Sequence, residues 1–172
     1  MGVRRKAEGE RKGSIIAGFG LHGFPPFMQL YCMSSHHDLK AWQHAKRFAV
    51  ECIRVARTFP VYEQDRGLAD QLRRASTSAV LNIVEGCNRA SNRDFRRFLE
   101  TARTSLDEAI AVLELALDIG YLTAEQFARL EALHGEAART LYGLLRSINA
   151  RLDRGEVTRT FRPGAKRPDT AA

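Results

Sequence analysis

A chain of 172 residues has room for one domain with a true hydrophobic core and too little for two. Hydrophobic residues at 44% and charged residues at 27% are ordinary for a globular protein, while a formal charge of +7 and a pI of 9.8 admit acidic partners such as nucleic acid. Apolar runs stay short of the roughly 18 residues that a membrane span needs, and three dispersed cysteines argue against a disulfide framework or a zinc site.

Residues 1–33 begin basic, then mix Gly, Pro and scattered aromatics without a helical period. Gly18, Gly20, His22 and the Pro25-Pro26 pair interrupt what would be the apolar part of a signal peptide. This segment reads as a flexible extension, or as sequence upstream of the true start, with Met28 and Met33 as alternative starts.

The body, residues 34–153, divides into four helices. The first spans residues 38–58, where Leu39, Trp42, Ala45, Ala49, Cys52, Ala56 and Phe59 make one apolar stripe and Pro60 ends it. The second spans residues 67–87, with Leu68, Leu72, Ala75, Ala79 and Ile83 inward. The third opens at Ser91, an N-cap three residues before Asp94, and runs through Phe95, Phe98, Leu99, Ala102, Leu106, Ala109, Ile110, Leu113 and Leu117 to Gly120. The fourth starts at the capping box Thr123-Ala-Glu-Gln126 and continues through Phe127, Leu130, Leu133, Ala137, Leu141, Leu144, Ile148 and Leu152.

Strand and hairpin signals are missing. Short connections between long amphipathic helices force antiparallel neighbours, so the expected fold is all-α, an antiparallel up-down four-helix bundle. Residues 154–172 read as a disordered basic tail. Cys52 and Cys87 fit the core as small hydrophobes, and Cys32 falls in the extension, a usage that suits a reducing cytoplasm.

The second helix carries a polar stripe, Arg74, Ser78, Asn82, Glu85 and Arg89, at spacings of four, four, three and four. Its neighbours Ala79, Val80, Leu81, Ile83 and Val84 predict burial on more than one side. Buried polar groups left unbonded cost about 1–3 kcal/mol each, so the stripe needs partners, which Thr101, Ser105 and Glu108 of the third helix can supply. Glu85 with Asn82 as orienter could form a catalytic carboxylate site. The favoured reading is a structural polar network of Ser78, Asn82, Glu85, Ser105 and Glu108 that fixes helix register. Gly86 lets the backbones close up as the chain turns.

The stretches "DLKAWQHAKRFAVECI", "LADQLRRASTSAVLNIVEG", "RASNRDFRRFLETARTSLDEA" and "LDIGYLTAEQF" together resemble the bacterial four-helix bundle protein family. That family includes proteins encoded in intervening sequences of 23S ribosomal RNA genes and the accessory variability determinants of diversity-generating retroelements. The resemblance rests most on Asn82, Ile83, Glu85 and Gly86, followed by Arg89, Ser91, Phe95, Phe98 and Leu99. Trp42, Arg74, Ser78, Ser105, Glu108, Gly120 and Tyr121 also fit. Ala79-Val80-Leu81 stands where the family often has Ile-Pro-Ser, and Thr104 replaces a Gly. The resemblance implies a homopentameric ring of bundles, no enzymatic activity, no cofactor, and for accessory members a reverse transcriptase and nucleic acid as partners.

Charge points the same way. Residues 66–103 hold eight arginines against four acids, and residues 104–152 hold four against seven. The expected nucleic-acid-binding site is the cluster Arg73, Arg74, Arg89, Arg93, Arg96, Arg97 and Arg103, whose guanidinium forks suit phosphate. A solvated face of intramolecular pairs is the bland alternative, and a protein-interaction scaffold without nucleic acid is another. "RLEALH" matches the Arg-x4-His spacing of helical-bundle RNases, but Arg129 and His134 stand about 140° apart round a helix. His36, His37 and His44 have no carboxylate cluster beside them, so no metal site is expected.

Overall fold

The structure, a computed structural model, describes residues 35–60 and 66–158. A 3-10 turn, His36–Asp38, closes on a capping box in which Ser35 Oγ accepts from the His37 backbone and Asp38 accepts from the Ser35 backbone. Four helices follow: α1 (Lys40–Ala56), α2 (Arg66–Cys87), α3 (Asn92–Asp118) and α4 (Ala124–Asp153). The described residues contain no strand.

Helix ends obey the local chemistry. Ser91 caps α3 by accepting from the backbone N–H groups of Arg93 and Asp94, and Thr123 with Gln126 forms the reciprocal box that opens α4. Past α3, Gly120 has φ of 79°, the Gly120 N–H donates to Leu117 O, and the Tyr121 N–H donates to Ala116 O at 2.8 Å. This is a Schellman ending, and a left-handed residue there favours glycine. Gly155, with φ of 77°, ends α4 in the same way.

Cross-helix pairs fix the topology. Gln71 bonds Glu108 while Ser78, further along α2, bonds Ser105, earlier on α3. His44 meets Glu136, whereas the later Glu51 meets the earlier Arg129. Partners that descend as residues ascend mean antiparallel neighbours. α2 packs on α1 and α3, and α4 packs on α3 and α1, so α1 and α3 lie across the diagonal of a square bundle.

The core runs through Phe48, Leu72, Ile83, Phe95, Leu99, Leu106, Leu113, Leu130, Leu141 and Ile148, all fully buried. Each such side chain contributes about 1.5–3 kcal/mol of transfer free energy. Fully buried Ala45, Ala79, Ala102, Ala109, Ala116 and Ala137 let the helices approach closely. Phe48 completes the α1 stripe that spacing places through Ala45 and Cys52, while Trp42 is only half-buried. Burial pushes the Cys52 thiol well above its ordinary value, which makes it an inert core residue.

Two expectations need correction. α2 is buried against α1 and α3 but not all round: Leu81 is 59% exposed, and Val80 and Val84 are half-buried, because the face of α2 turned away from both neighbours meets solvent. The tail does not leave the bundle at residue 154. The Asn92 backbone N–H donates to Val157 O at 2.8 Å, Asn92 Nδ2 donates to Glu156 O at 2.6 Å, and Thr158 bridges to Ser91. Residues 155–158 are thus strapped to the start of α3. The extension, residues 1–33, and the tail beyond Thr158 lie outside the described residues, as does Cys32.

Candidate nucleic-acid interface

The arginine cluster does not form one patch. Arg73 is half-buried, pairs with Asp70 one turn back, and lies about 140° round α2 from Ser78. Arg96 Nε donates to Glu100 at 2.9 Å, and Arg103 pairs with Asp107 at 4.0 Å. Asp107 also faces His134 of α4 at 3.9 Å, so Arg103 belongs to the α3–α4 side. Arg74 donates to Gln71 Oε1 at 2.8 Å on the α2–α3 side. Fifteen residues separate it from Arg89, about 22 Å along the helix.

Two arginines gather over one ring where α2 turns into α3, and Arg93 stands one helical turn before the second of them, Arg97. Phe98, half-buried on α3, lies beneath the Arg89 guanidinium at 4.9 Å and the Arg97 guanidinium at 5.6 Å. Arg89 also pairs with Glu85 across one helical turn. Arg93 is exposed next to the cap, and neither Arg93 nor Arg97 makes an ion pair among the described residues. A ring that stacks two guanidiniums holds their forks in place at little entropic cost, and a stacked fork still presents its N–H groups to phosphate. Helical spacing alone does not single out Phe98, because a residue at its position serves the core equally well.

Gly86 brings the two helices together at this point. A Cβ there would stand 3.0 Å from Phe98 Cβ and 2.7 Å from Phe95 Cδ2. Close approach of the α2 backbone is what sets Arg89 over Phe98.

The polar network is smaller than the stripe suggests. Asn82 Nδ2 donates to Ser78 O at 2.9 Å and to Ser78 Oγ at 3.1 Å, and the Ser78 and Ser105 hydroxyls share a bond of 2.9 Å. Glu85 is exposed and engaged with Arg89, while Glu108 is exposed and accepts from Gln71. Neither carboxylate bonds to the Ser78–Asn82–Ser105 group: Glu85 is held by Arg89 at the end of α2, and Glu108 by Gln71, about two turns before Ser78 on α2. Thr101 does not reach the network either; its hydroxyl donates to Arg97 O of its own helix at 3.1 Å.

This bundle matches a family profile described as 23S rRNA-intervening sequence protein over residues 37–143. The chain belongs to that family. A family member from Bacteroides thetaiotaomicron VPI-5482, described as a protein with unknown function from the S23 ribosomal protein family, has a crystal structure with the same fold. The two are 24% identical, with a TM-score of 0.58, over 62% of this chain and 98% of that one. No curated protein matches the chain. The family profile ends before the strap, so the contacts of Ser91 and Asn92 with residues 156–158 join a family element to sequence beyond it.

The histidine motifs do not assemble. Arg129 reaches across to Glu51 of α1 at 3.4 Å, whereas His134 turns toward Asp107 of α3 and packs edge-on against Phe48. They point to different sides of α4. His36 and His37 each meet the Trp42 ring edge-on, and His44 bonds Glu136 at 3.0 Å. Among the described residues no three metal-ligating side chains come together, and no helix is long and apolar enough to cross a membrane.

A groove elsewhere on the bundle was not evident from the sequence. It is an open groove of about 650 Å³ between α1 and α4, with Trp42, Val50 and Leu133 as its apolar floor. Lys46, Arg47, Arg54 and Arg129 stand round it with Glu51 and Glu136. The spacing of Lys46, Val50 and Arg54 marks one face of α1; the facing residues of α4 come only from the tertiary fold.

Proposed function

We propose that this member of the 23S rRNA-intervening sequence protein family is a non-enzymatic, oligomeric nucleic-acid-binding accessory protein. Its contact with RNA or DNA is the α2–α3 turn, through Arg89, Arg93 and Arg97. The observation that carries the reading is the stacking of two guanidiniums on Phe98 beside a third arginine without an ion-pair partner among the described residues. The family resemblance adds a homopentameric ring, in which five such turns act together, and a reverse transcriptase as a protein partner. The two buried cysteines suit a reducing cytoplasm.

A protein-interaction scaffold without nucleic acid is the second reading. It draws on Leu81, Leu115 and Ile119, which are large, aliphatic and more than half exposed, and on the internal pairing of Arg73, Arg96 and Arg103.

Salt titration of binding separates the two. Neutralised phosphates release counterions, so affinity for a single-stranded or duplex oligonucleotide should fall steeply with salt. Arg93→Gln with Arg97→Gln should weaken binding and lower the salt slope by about 2. Arg96→Gln with Arg103→Gln, which remove paired arginines, should change it less. A chain restricted to residues 35–158 tests whether the basic extensions bind instead. Absence of binding at low salt would hand the assignment to the scaffold reading.

A further inference from the structure

The α1–α4 groove has more cationic than acidic groups on its rim. Glu51 is shared by Arg54 and Arg129, and Glu136 is shared by His44 and Arg47. Lys46 lies 5.0 Å over the Trp42 ring with no carboxylate partner among the described residues. Trp42 Nε1 is buried without an acceptor among those residues.

Across the bundle, the end of α3 shows the complementary chemistry. Leu115 is 55% exposed and Ile119, one turn on, is 54% exposed. Glu108, Glu114 and Asp118 stand exposed around them. This is an aliphatic ridge with acidic flanks, and such a surface favours removal from water.

We infer that the α1–α4 groove is the socket for a second copy of this chain, filled by the Leu115–Ile119 ridge of that copy. The inference rests on the oligomeric reading above and names the surfaces that make the assembly. α3 lies diagonal to α1, so a ridge and a socket on one molecule cannot meet each other. Two different, complementary patches produce head-to-tail contact, which closes into a ring when the rotation per step allows. The acidic flanks meet the cationic rim, and the aliphatic ridge covers Val50, Leu133 and the Trp42 ring.

Sedimentation velocity on the full chain tests this with two variants. Lys46→Glu with Arg54→Glu spoils the socket, and Leu115→Gln with Ile119→Gln spoils the ridge. All four side chains are exposed, so circular dichroism melts should show both bundles intact. Wild type should sediment as a closed oligomer, and each variant alone as a monomer of 19.3 kDa. A mixture of the two holds one sound ridge and one sound socket, and should give a 1:1 dimer that grows no further. A monomeric wild type overturns both the oligomeric reading and this interface. An oligomeric wild type with oligomeric variants overturns the interface alone. Monomeric variants that fail to dimerise on mixing overturn the head-to-tail pairing.

Discussion

Gly86 faces Phe95 so closely that a Cβ at position 86 would stand 2.7 Å from Cδ2 of the ring. Phe95 is fully buried and cannot swing away. Gly86→Ala gains about 1 kcal/mol of helix propensity but overpacks the α2–α3 seam, which costs about 1–3 kcal/mol. Net destabilisation is expected in urea melts, with Arg89 displaced from Phe98 and nucleic-acid affinity lowered. A variant as stable as wild type would mean that the helices part without penalty.

The hydroxyl pair of Ser78 and Ser105 joins α2 to α3. Ser105→Ala should cost about 0.5–1.5 kcal/mol, and the double-mutant cycle with Ser78→Ala should show positive coupling. Glu85→Gln removes only an exposed pair with Arg89 and should stay within about 0.5 kcal/mol. Chemical denaturation of the four proteins of the cycle and of Glu85→Gln checks both statements. Equal losses at Glu85 and Ser105 would restore the larger network.

Asn92 is 1% exposed, and its Nδ2 ties down Glu156 O. Asn92→Ala leaves that carbonyl unbonded and should cost about 1–3 kcal/mol if it stays buried. The strap should loosen first, so tryptic cleavage after Arg154 should accelerate before the bundle melts. Unchanged cleavage would show that the backbone bond from Asn92 N–H to Val157 O holds the strap unaided.

His134 has its basicity lowered mainly by burial, which outweighs the opposing charges of Asp107, Glu114 and Glu131. Its Nε2 is 3.9 Å from Asp107, near enough for attraction but too far for a hydrogen bond. A folded-state value below the ordinary 6.5 means that protonation favours the unfolded chain. Stability from this group is therefore present above pH 6.5 and declines as pH falls below it. Melting temperatures of wild type and His134→Gln across pH 7.5 to 5 should converge toward the acid end, since the variant lacks this slope. His36 shifts in the same direction and is common to both proteins. Parallel curves would assign the pH response elsewhere.

Much of the fold was legible because its causes are local. Apolar residues at spacings of three and four, the Thr123–Gln126 box, the Ser91 cap and the glycine past α3 each act within one or two turns. They determine where the helices begin, end and turn their apolar faces. Short connections between such helices leave an antiparallel bundle as the outcome, and the Asn82–Gly86 motif carried the family.

Which polar residues meet was decided by packing between elements distant in the chain. Arg89 and Arg97 meet over Phe98 with Arg93 and Arg96 within a turn of them, whereas Arg74 lies about 22 Å back along α2 and Arg103 turns to the α3–α4 side. Glu85 and Ser78 share a stripe, but the seam between α2 and α3 passes over Ser78 and leaves Glu85 in water. The groove beside Trp42 and the strap on Asn92 join residues 64 or more positions apart, and helix periodicity does not reach that far. Sequence alone determined the helices and their inward faces; tertiary structure decided which outward residues form a surface, since that depends on how the helices are rotated and set against one another.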